Sequence, residues 1–234
     1  DYHLALVPKM VRDQLPHATI ITFWHIPWPN PERYAICPWY REILEGLLGS
    51  SILGFHTRFH CSNFINTVDR SLETRIDWDS SMISYQGKLT AVNHYPISIA
   101  WPGREQPQLP SESECRTHIR TINGLPYAHR VGVGVERLDY TKGIFERFLA
   151  VFPEWRGKVT YLQITPKSRS ELQEYAGMGR TISEAAGRIN GTYGEADWTP
   201  IRYVNRAYSQ RALAGLYRSA RVGLVTPLRD GMNL

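Results

Sequence analysis

Residues 131–144 read VGVGVERLDYTKGI. Valine alternates with glycine over the first five positions, and then the composition turns abruptly polar. The spacing predicts a buried strand over residues 130–135 and a helix around 142–153. Between them stand Glu136, Arg137, Asp139 and Lys142. A strand that vanishes into a core and leads directly into a helix is half of a βαβ unit. The fold class turns on this stretch, because the same alternation recurs on both sides of it.

Downstream, strands are predicted over 159–164, 200–203 and 222–226, with helices around 169–189 and 209–219 between them. Upstream, ATIITFW at 18–24, SILGF at 51–55 and YPISI at 95–99 read as strands. Helical spacing covers 41–48 and 59–72, and residues 84–92 suggest a hairpin around Gln86-Gly87. Residues 101–110 (WPGREQPQLP) hold three prolines and no periodicity, which marks a connection and a candidate domain boundary. Ser111 and Glu114 form a capping-box pattern at the start of a helix over 111–122. Strand–helix alternation in both halves predicts α/β folding, with parallel sheets covered by helices on both faces.

The chain has 234 residues, 42% of them apolar and 12% aromatic, enough for a sizeable core. No apolar run approaches the roughly 18 residues of a membrane span. The opening DYHLALVPKM has no basic segment of the signal-peptide kind. The first residue is not Met and the chain stops abruptly at GMNL, so a piece of a longer chain is expected. Net charge is +5 with a pI near 9.2, which favours anionic partners. No run of Lys or Arg exceeds two residues, so small phosphates suit the charge better than nucleic acid. Cys37, Cys61 and Cys115 are widely spaced and odd in number, and form no zinc pattern. Reduced, buried thiols in a cytoplasmic protein are expected.

In open α/β sheets, ligands bind beyond the carboxyl ends of the strands. The strand at 18–24 leads to His25, held in the proline-stiffened WHIPWPNP. His25 reads either as a core histidine bonded to backbone or as a sugar contact. His56 and His60 share the i, i+4 spacing of zinc ligands but have no third ligand or general base beside them. Gly132 and Gly134 do not make a dinucleotide fingerprint, since Arg137 replaces the third glycine, and no Walker motif occurs. Arg137 and Lys142 read equally as a phosphate site at a helix start or as a surface ion pair of Arg137 with Asp139. Lys167 and Arg169 repeat the pattern after residues 159–164. Asp230-Gly231 presents a carboxylate suited to sugar hydroxyls. Asp77-Trp78-Asp79 matches the D-x-D of metal-dependent glycosyltransferases but reads as a solvated turn.

These segments together resemble the trehalose-6-phosphate synthases. The likeness runs in order through DYHLALVP, FWHIPWPNPE, REILEGLLGSSILGFHT, GVERLDYTKGI, QITPKSR, AAGRINGTYG, DWTPIRY and VGLVTPLRDGMNL. It implies GT-B architecture, with two Rossmann-like domains. Residues 1–108 would be the carboxyl-terminal part of an acceptor-side domain and 109–125 a connection. Residues 126–234 would be the amino-terminal part of a nucleotide-sugar domain. The implied reaction is retaining transfer of glucose from UDP-glucose to glucose 6-phosphate without metal, and the isolated 234-residue stretch is expected to be inactive.

By the same resemblance, Arg137 and Lys142 hold the donor diphosphate and His25 contacts the donor glucose. Tyr208 lies beside the uracil. Asp230 binds hydroxyls of the transferred glucose, and backbone from Gly231, Met232, Asn233 and Leu234 lies near it. Asp1 and Arg169 serve the acceptor. The tryptophans flanking His25-Ile26-Pro27 also resemble glucosylglycerol-phosphate synthases, which use ADP-glucose and glycerol 3-phosphate. A catalytically silent sugar-phosphate-binding homologue is a third option. No nucleic-acid or membrane partner is expected, and homo-oligomerisation is left open.

Overall fold

The computed structural model describes residues 2–98, 111–123, 130–150, 155–166, 173–228 and 230. The chain divides into two units, one of residues 1–100 with 230–234 and one of residues 101–229.

In the first unit, helix α1 (Val7–Gln14) precedes strand β1 (Ile21–Phe23), the short α2 (Pro31–Tyr34) and α3 (Tyr40–Leu47). Strand β2 (Ile52–Phe55), helix α4 (Arg58–Ser71) and strands β3 (Arg75–Asp77), β4 (Met82–Tyr85) and β5 (Lys88–His94) follow. The sheet order is β1-β2-β5-β4-β3. The pairs β1–β2 and β2–β5 are parallel, whereas β5–β4 and β4–β3 are antiparallel. The expectation of a parallel sheet is therefore corrected for this unit, where a β-meander is added to a parallel half. The β4–β5 turn carries Gln86 and Gly87 at φ 49° and 76°, both left-handed as a two-residue hairpin of the twisted kind demands. Residues 95–98 form no strand. Tyr95 N–H still donates to Phe55 O at 2.7 Å, but Pro96 has no N–H to continue the ladder. Asp77 ends β3 and accepts from Asp79 N–H, Ser80 N–H and the Ser80 hydroxyl, an exposed turn as read from sequence.

The core of this unit is aromatic. Trp28 is 1% exposed and packs against Trp24, Phe55 and Phe64 edge to face and against a tilted Tyr34. Its indole donates to Thr67, and its carbonyl accepts from Asn63. The tryptophans around His25 thus anchor the segment that presents it.

The second unit begins with α5 (Glu112–Asn123), whose capping box forms: Ser111 Oγ accepts from Glu114 N–H and Glu114 Oε2 accepts from Ser111 N–H. Strand β6 (Arg130–Val135), α6 (Ile144–Leu149), β7 (Val159–Ile164), α7 (Gln173–Tyr193), β8 (Ile201–Val204), α8 (Gln210–Ser219) and β9 (Val222–Gly223) follow. The order is β8-β7-β6-β9 and every pair is parallel. Helices cover both faces of this sheet. Val131, Val133, Leu162 and Ile164 meet Leu216 of α8 on one face. Tyr161 and Ile201 meet Ile144 and Phe148 of α6 and Ile182 and Ile189 of α7 on the other. No helix among the described residues is long and apolar enough to cross a membrane. Cys61 and Cys115 are buried and Cys37 half-buried, and none of the three is in a disulfide.

The glycines of VGVGV now have a physical reason. In a strand, residues alternate faces, so Gly132 and Gly134 share the face of Tyr161 and Gln163, which pair with them in register. Gly134 leaves room for a buried polar cluster built on Arg147 of α6. The Arg147 guanidinium donates to Glu136 Oε2 at 2.7 Å, Tyr161 Oη at 2.9 Å, Gln163 Oε1 at 3.0 Å, Thr226 Oγ1 at 2.8 Å and Lys142 O at 3.1 Å. The Arg147 and Glu136 side chains are 4% and 5% exposed. Burial works against the arginine's charge, but Glu136 and Tyr161 outweigh it and hold the proton more tightly than usual. Burial pushes the Tyr161 hydroxyl up to about 12, so it stays protonated.

A Cβ on Gly134 would lie 2.1 Å from Tyr161 Oη and 2.7 Å from Gln163 Oε1, whereas one on Gly132 would meet nothing nearer than 3.5 Å. Gly134→Ala should lower the unfolding free energy by about 1–3 kcal/mol through overpacking. Gly132→Ala should fall within about 0.5 kcal/mol of wild type, both read by urea denaturation. Arg147→Met should cost about 3–5 kcal/mol, because it leaves the Glu136 carboxylate buried and alone. Adding Glu136→Gln to that variant should recover part of the loss; a double variant less stable than Arg147→Met would contradict this account.

Candidate functional site at the strand ends

The order of the second sheet makes a topological switch. Strands β6, β7 and β8 progress in one direction, and the chain then returns to place β9 on the other side of β6. The carboxyl ends of β6 and β9 flank this switch point, the place where open α/β sheets bind ligands. Arg137 and Lys142 lie in the segment that leaves β6. Leu138 is buried and fixes that segment to the core, while Arg137 is exposed and Lys142 half-buried.

The Arg137–Asp139 ion pair weighed from sequence does not form. Asp139 instead caps the 3-10 turn Tyr140–Lys142, accepting from Thr141 N–H at 3.0 Å and the Thr141 hydroxyl at 2.8 Å. Gly143 then takes the left-handed conformation at φ 64°, and α6 begins at Ile144 rather than 142. A Cβ on Gly143 would stand 2.8 Å from Thr226 O, and Leu228 N–H donates to Thr141 O at 2.7 Å. The β6 and β9 exits are therefore laced together, from below by Arg147 and from the side by these backbone contacts. Asp139 shapes the turn between the two cations and leaves the Arg137 guanidinium unneutralised by it.

Tyr208, which follows β8, is half-buried and packs against the cluster of Val131, Val133, Leu162, Ile164 and Leu216. Arg206 lies over its ring at 4.7 Å and donates to its hydroxyl at 2.9 Å. Asp1, Arg169 and residues 231–234 fall outside the described residues.

In the first unit, the parallel neighbours β1 and β2 deliver two histidines to adjacent carboxyl ends. His25 is exposed and His56 is 2% exposed, with His56 Nε2 at 2.8 Å from His25 Nδ1. His56 Nε2 faces His25, and among the described residues no group of three or more His, Cys, Asp or Glu that could hold a metal ion is found. Asp230 groups with this unit. His56 was missed as a partner of His25, though both directly follow predicted strands. Arg147 was missed as well; its signal was a lone cation in the apolar IFERFL, together with Gln163 in the otherwise apolar TYLQI.

Burial is the main reason that His56 holds a proton less readily than usual. The nearby His25 and His60 add to this and Asp230 opposes it. A histidine whose proton affinity falls on folding stabilises the fold above its ordinary value of 6.5 and withdraws that support as pH falls below it. Between about pH 7.5 and 5.5, the thermal midpoint of the wild type should therefore drop further than that of His56→Gln. An equal drop in scanning calorimetry would contradict a neutral, buried His56.

The model of glycosyltransferase family 20 matches residues 1–234. The trehalose-6-phosphate synthase of Sinorhizobium fredii is 39% identical over 240 residues, covering 100% of this chain and 51% of that protein. Among solved structures, the E. coli trehalose-6-phosphate synthase with bound UDP-2-fluoro glucose superposes with a TM-score of 0.88 at 34% identity, covering 100% of this chain and 52% of that one. The Burkholderia xenovorans alpha,alpha-trehalose-phosphate synthase (UDP-forming) in complex with glucose-6-phosphate gives 0.84 at 33%, covering 100% and 52%. The chain thus spans about half the length of the relatives it matches, and the GT-B architecture expected of it is theirs. From its first residue to its last, this chain belongs to glycosyltransferase family 20.

Proposed function

We propose that the protein to which this chain belongs is an alpha,alpha-trehalose-phosphate synthase. It transfers glucose from UDP-glucose to glucose 6-phosphate with retention, giving trehalose 6-phosphate and UDP. The observation that carries this reading is the placement of Arg137 and Lys142 at the switch point of the all-parallel sheet, on a turn capped by Asp139 and held from beneath by Arg147. The second unit takes the nucleotide sugar and the first serves the acceptor.

Two cations on one turn suit a diphosphate better than a single phosphate, and the backbone of that turn is set by the Asp139 cap and by Arg147. Charge develops on the leaving UDP as the bond between its β-phosphate oxygen and the glucose anomeric carbon breaks. Arg137 and Lys142 stabilise that charge where it forms, in the role that a divalent cation plays in metal-dependent transferases, so we propose a metal-free reaction. The acceptor hydroxyl bonds to the anomeric carbon on the face that UDP leaves, and its proton passes to the departing phosphate. His25 and Asp230, with backbone of Gly231 to Leu234, orient the transferred glucose. Tyr208 offers the uracil an aromatic face, and Asp1 and Arg169 bind the acceptor, Arg169 through its phosphate. Free cysteines suit a reducing compartment, and we place the reaction in the cytoplasm.

The full-length protein should release UDP from UDP-glucose only when glucose 6-phosphate is present, and markedly faster than from ADP-glucose or with glycerol 3-phosphate. Turnover with the latter pair alone would reject this substrate assignment. Arg137→Ala should lower kcat/KM by about 100-fold or more, the scale for losing a charge-stabilising group at a leaving oxyanion. An unchanged kcat/KM would remove Arg137 from the mechanism.

A further inference from the structure

We infer that His56 is a positioning residue for His25. It donates its Nε2–H to Nδ1 of His25 and so fixes His25 as the tautomer that carries its own proton on Nε2. The consequence for chemistry rests on the function proposed above, whereas the tautomer does not.

The juxtaposition follows from the sheet. Strands β1 and β2 are parallel neighbours with Phe23 opposite Gly54. Two residues beyond each of these, the chain places His25 and His56 side by side. The rings meet at 75° with centroids 4.7 Å apart, and the nitrogens approach to 2.8 Å. The Phe23 ring lies edge-on to His56 at 4.8 Å, so the buried ring has little freedom to turn. One hydrogen lies between the two nitrogens, and the sharing admits two arrangements.

His56 decides between them. Its Nδ1 is buried and has no hydrogen-bond partner. If His56 accepted at Nε2, its proton would sit on Nδ1 as a buried N–H without an acceptor, the arrangement that folded proteins avoid most strictly. With the proton on Nε2, only a lone pair is left unfilled, and Nε2–H has an acceptor in His25 Nδ1. A doubly protonated ring would restore the orphaned N–H, and burial disfavours that charge. Neutral His56 therefore donates, and His25 Nδ1 accepts.

The exposed His25 is then left with Nε2–H, a donor. Its fitting partner is a hydroxyl or ring oxygen, which suits a residue that orients a sugar. The same tautomer gives His25 Nε2 no lone pair with which to take a proton from the acceptor. His25 therefore holds the donor glucose in place, and the acceptor's proton goes elsewhere.

The test uses the full-length protein labelled with ¹⁵N-histidine. Long-range ¹H–¹⁵N correlation at about pH 8 places both neutral rings, with assignments from His25→Asn and His56→Gln. The expected spectrum has His25 and His56 each protonated on Nε2 and bare on Nδ1. A His25 protonated on Nδ1 overturns the inference, whatever the enzyme does. In kinetics, His56→Gln keeps a side-chain N–H to donate and should retain kcat within about threefold, whereas His56→Leu should lose about tenfold. Equal losses in both variants at wild-type thermal midpoints would overturn the positioning role. Should His56→Leu fail to fold, the wild-type spectrum and a tenfold loss in His56→Gln still decide against it. A wild type that makes no trehalose 6-phosphate refutes the function proposed above and leaves the tautomer result standing.

Discussion

The second unit depends on one buried charge. Arg147 sits on the buried side of α6 with Ile144 and Phe148, and its guanidinium must find partners or the helix cannot dock. The partners come from every neighbouring element: Glu136 at the end of β6, Tyr161 and Gln163 from β7, Thr226 beyond β9, and the carbonyl of Lys142. Each imposes a condition on the sequence. Tyr161 and Gln163 must be two residues apart to share a face. Gly134 must lack a side chain for that face to hold them. The gain in stability over an apolar core would be small, because two charges have been taken out of water. What the pair secures is position. It fixes the backbone at Lys142 and the β9 exit relative to each other, and those two segments lie at the switch point of the sheet.

The same arrangement explains why the polar residues of VGVGVERLDYTKGI do not collapse onto one another. Asp139 lies within two residues of Arg137 and within three of Lys142, and in an unstructured peptide it would pair with either. In the fold its carboxylate is engaged by Thr141, and Gly143 in the left-handed region turns the chain into α6 before Lys142 can become part of the helix. The carboxylate is thereby taken up by the turn itself, and Arg137 does not draw on it.

Much of this was legible in the sequence, for identifiable reasons. Strands β6 and β7 were found within their true limits because all-parallel strands are apolar on both faces and stand out from their surroundings. The Gln86-Gly87 turn and the Ser111/Glu114 box were found because local chemistry alone determines them. The resemblance to trehalose-6-phosphate synthases rested on segments spread through the whole chain, and family membership was legible from them. Other features are set by tertiary partners, and no local signal carries them. Strand β3 is three residues long and exists only because β4 pairs with it. The antiparallel half of the first sheet follows from how β3 and β4 are inserted before β5, which periodicity cannot express. An Arg137–Asp139 pair stayed open as an alternative because charge is visible in a sequence, whereas capping of the turn at Thr141 depends on backbone angles. The lone cation of IFERFL marked Arg147 but not the partners that bury it, which lie on other elements.

The histidines show the same limit from another side. At i, i+4 on a helix start, His56 and His60 invite a metal reading, because spacing along one chain segment is what a sequence displays. The contact that matters joins residues 31 positions apart and exists because two strands are parallel and in register. In both units a buried side chain supports a more accessible neighbour: Arg147 beneath Lys142, through its backbone carbonyl, and His56 behind His25, across a parallel pair of strands. The two devices differ in sign. Beneath Lys142 a full charge is buried and must be neutralised on all sides, so the support spans five partners. Behind His25 the buried ring is neutral, and a single shared hydrogen is enough to set its direction.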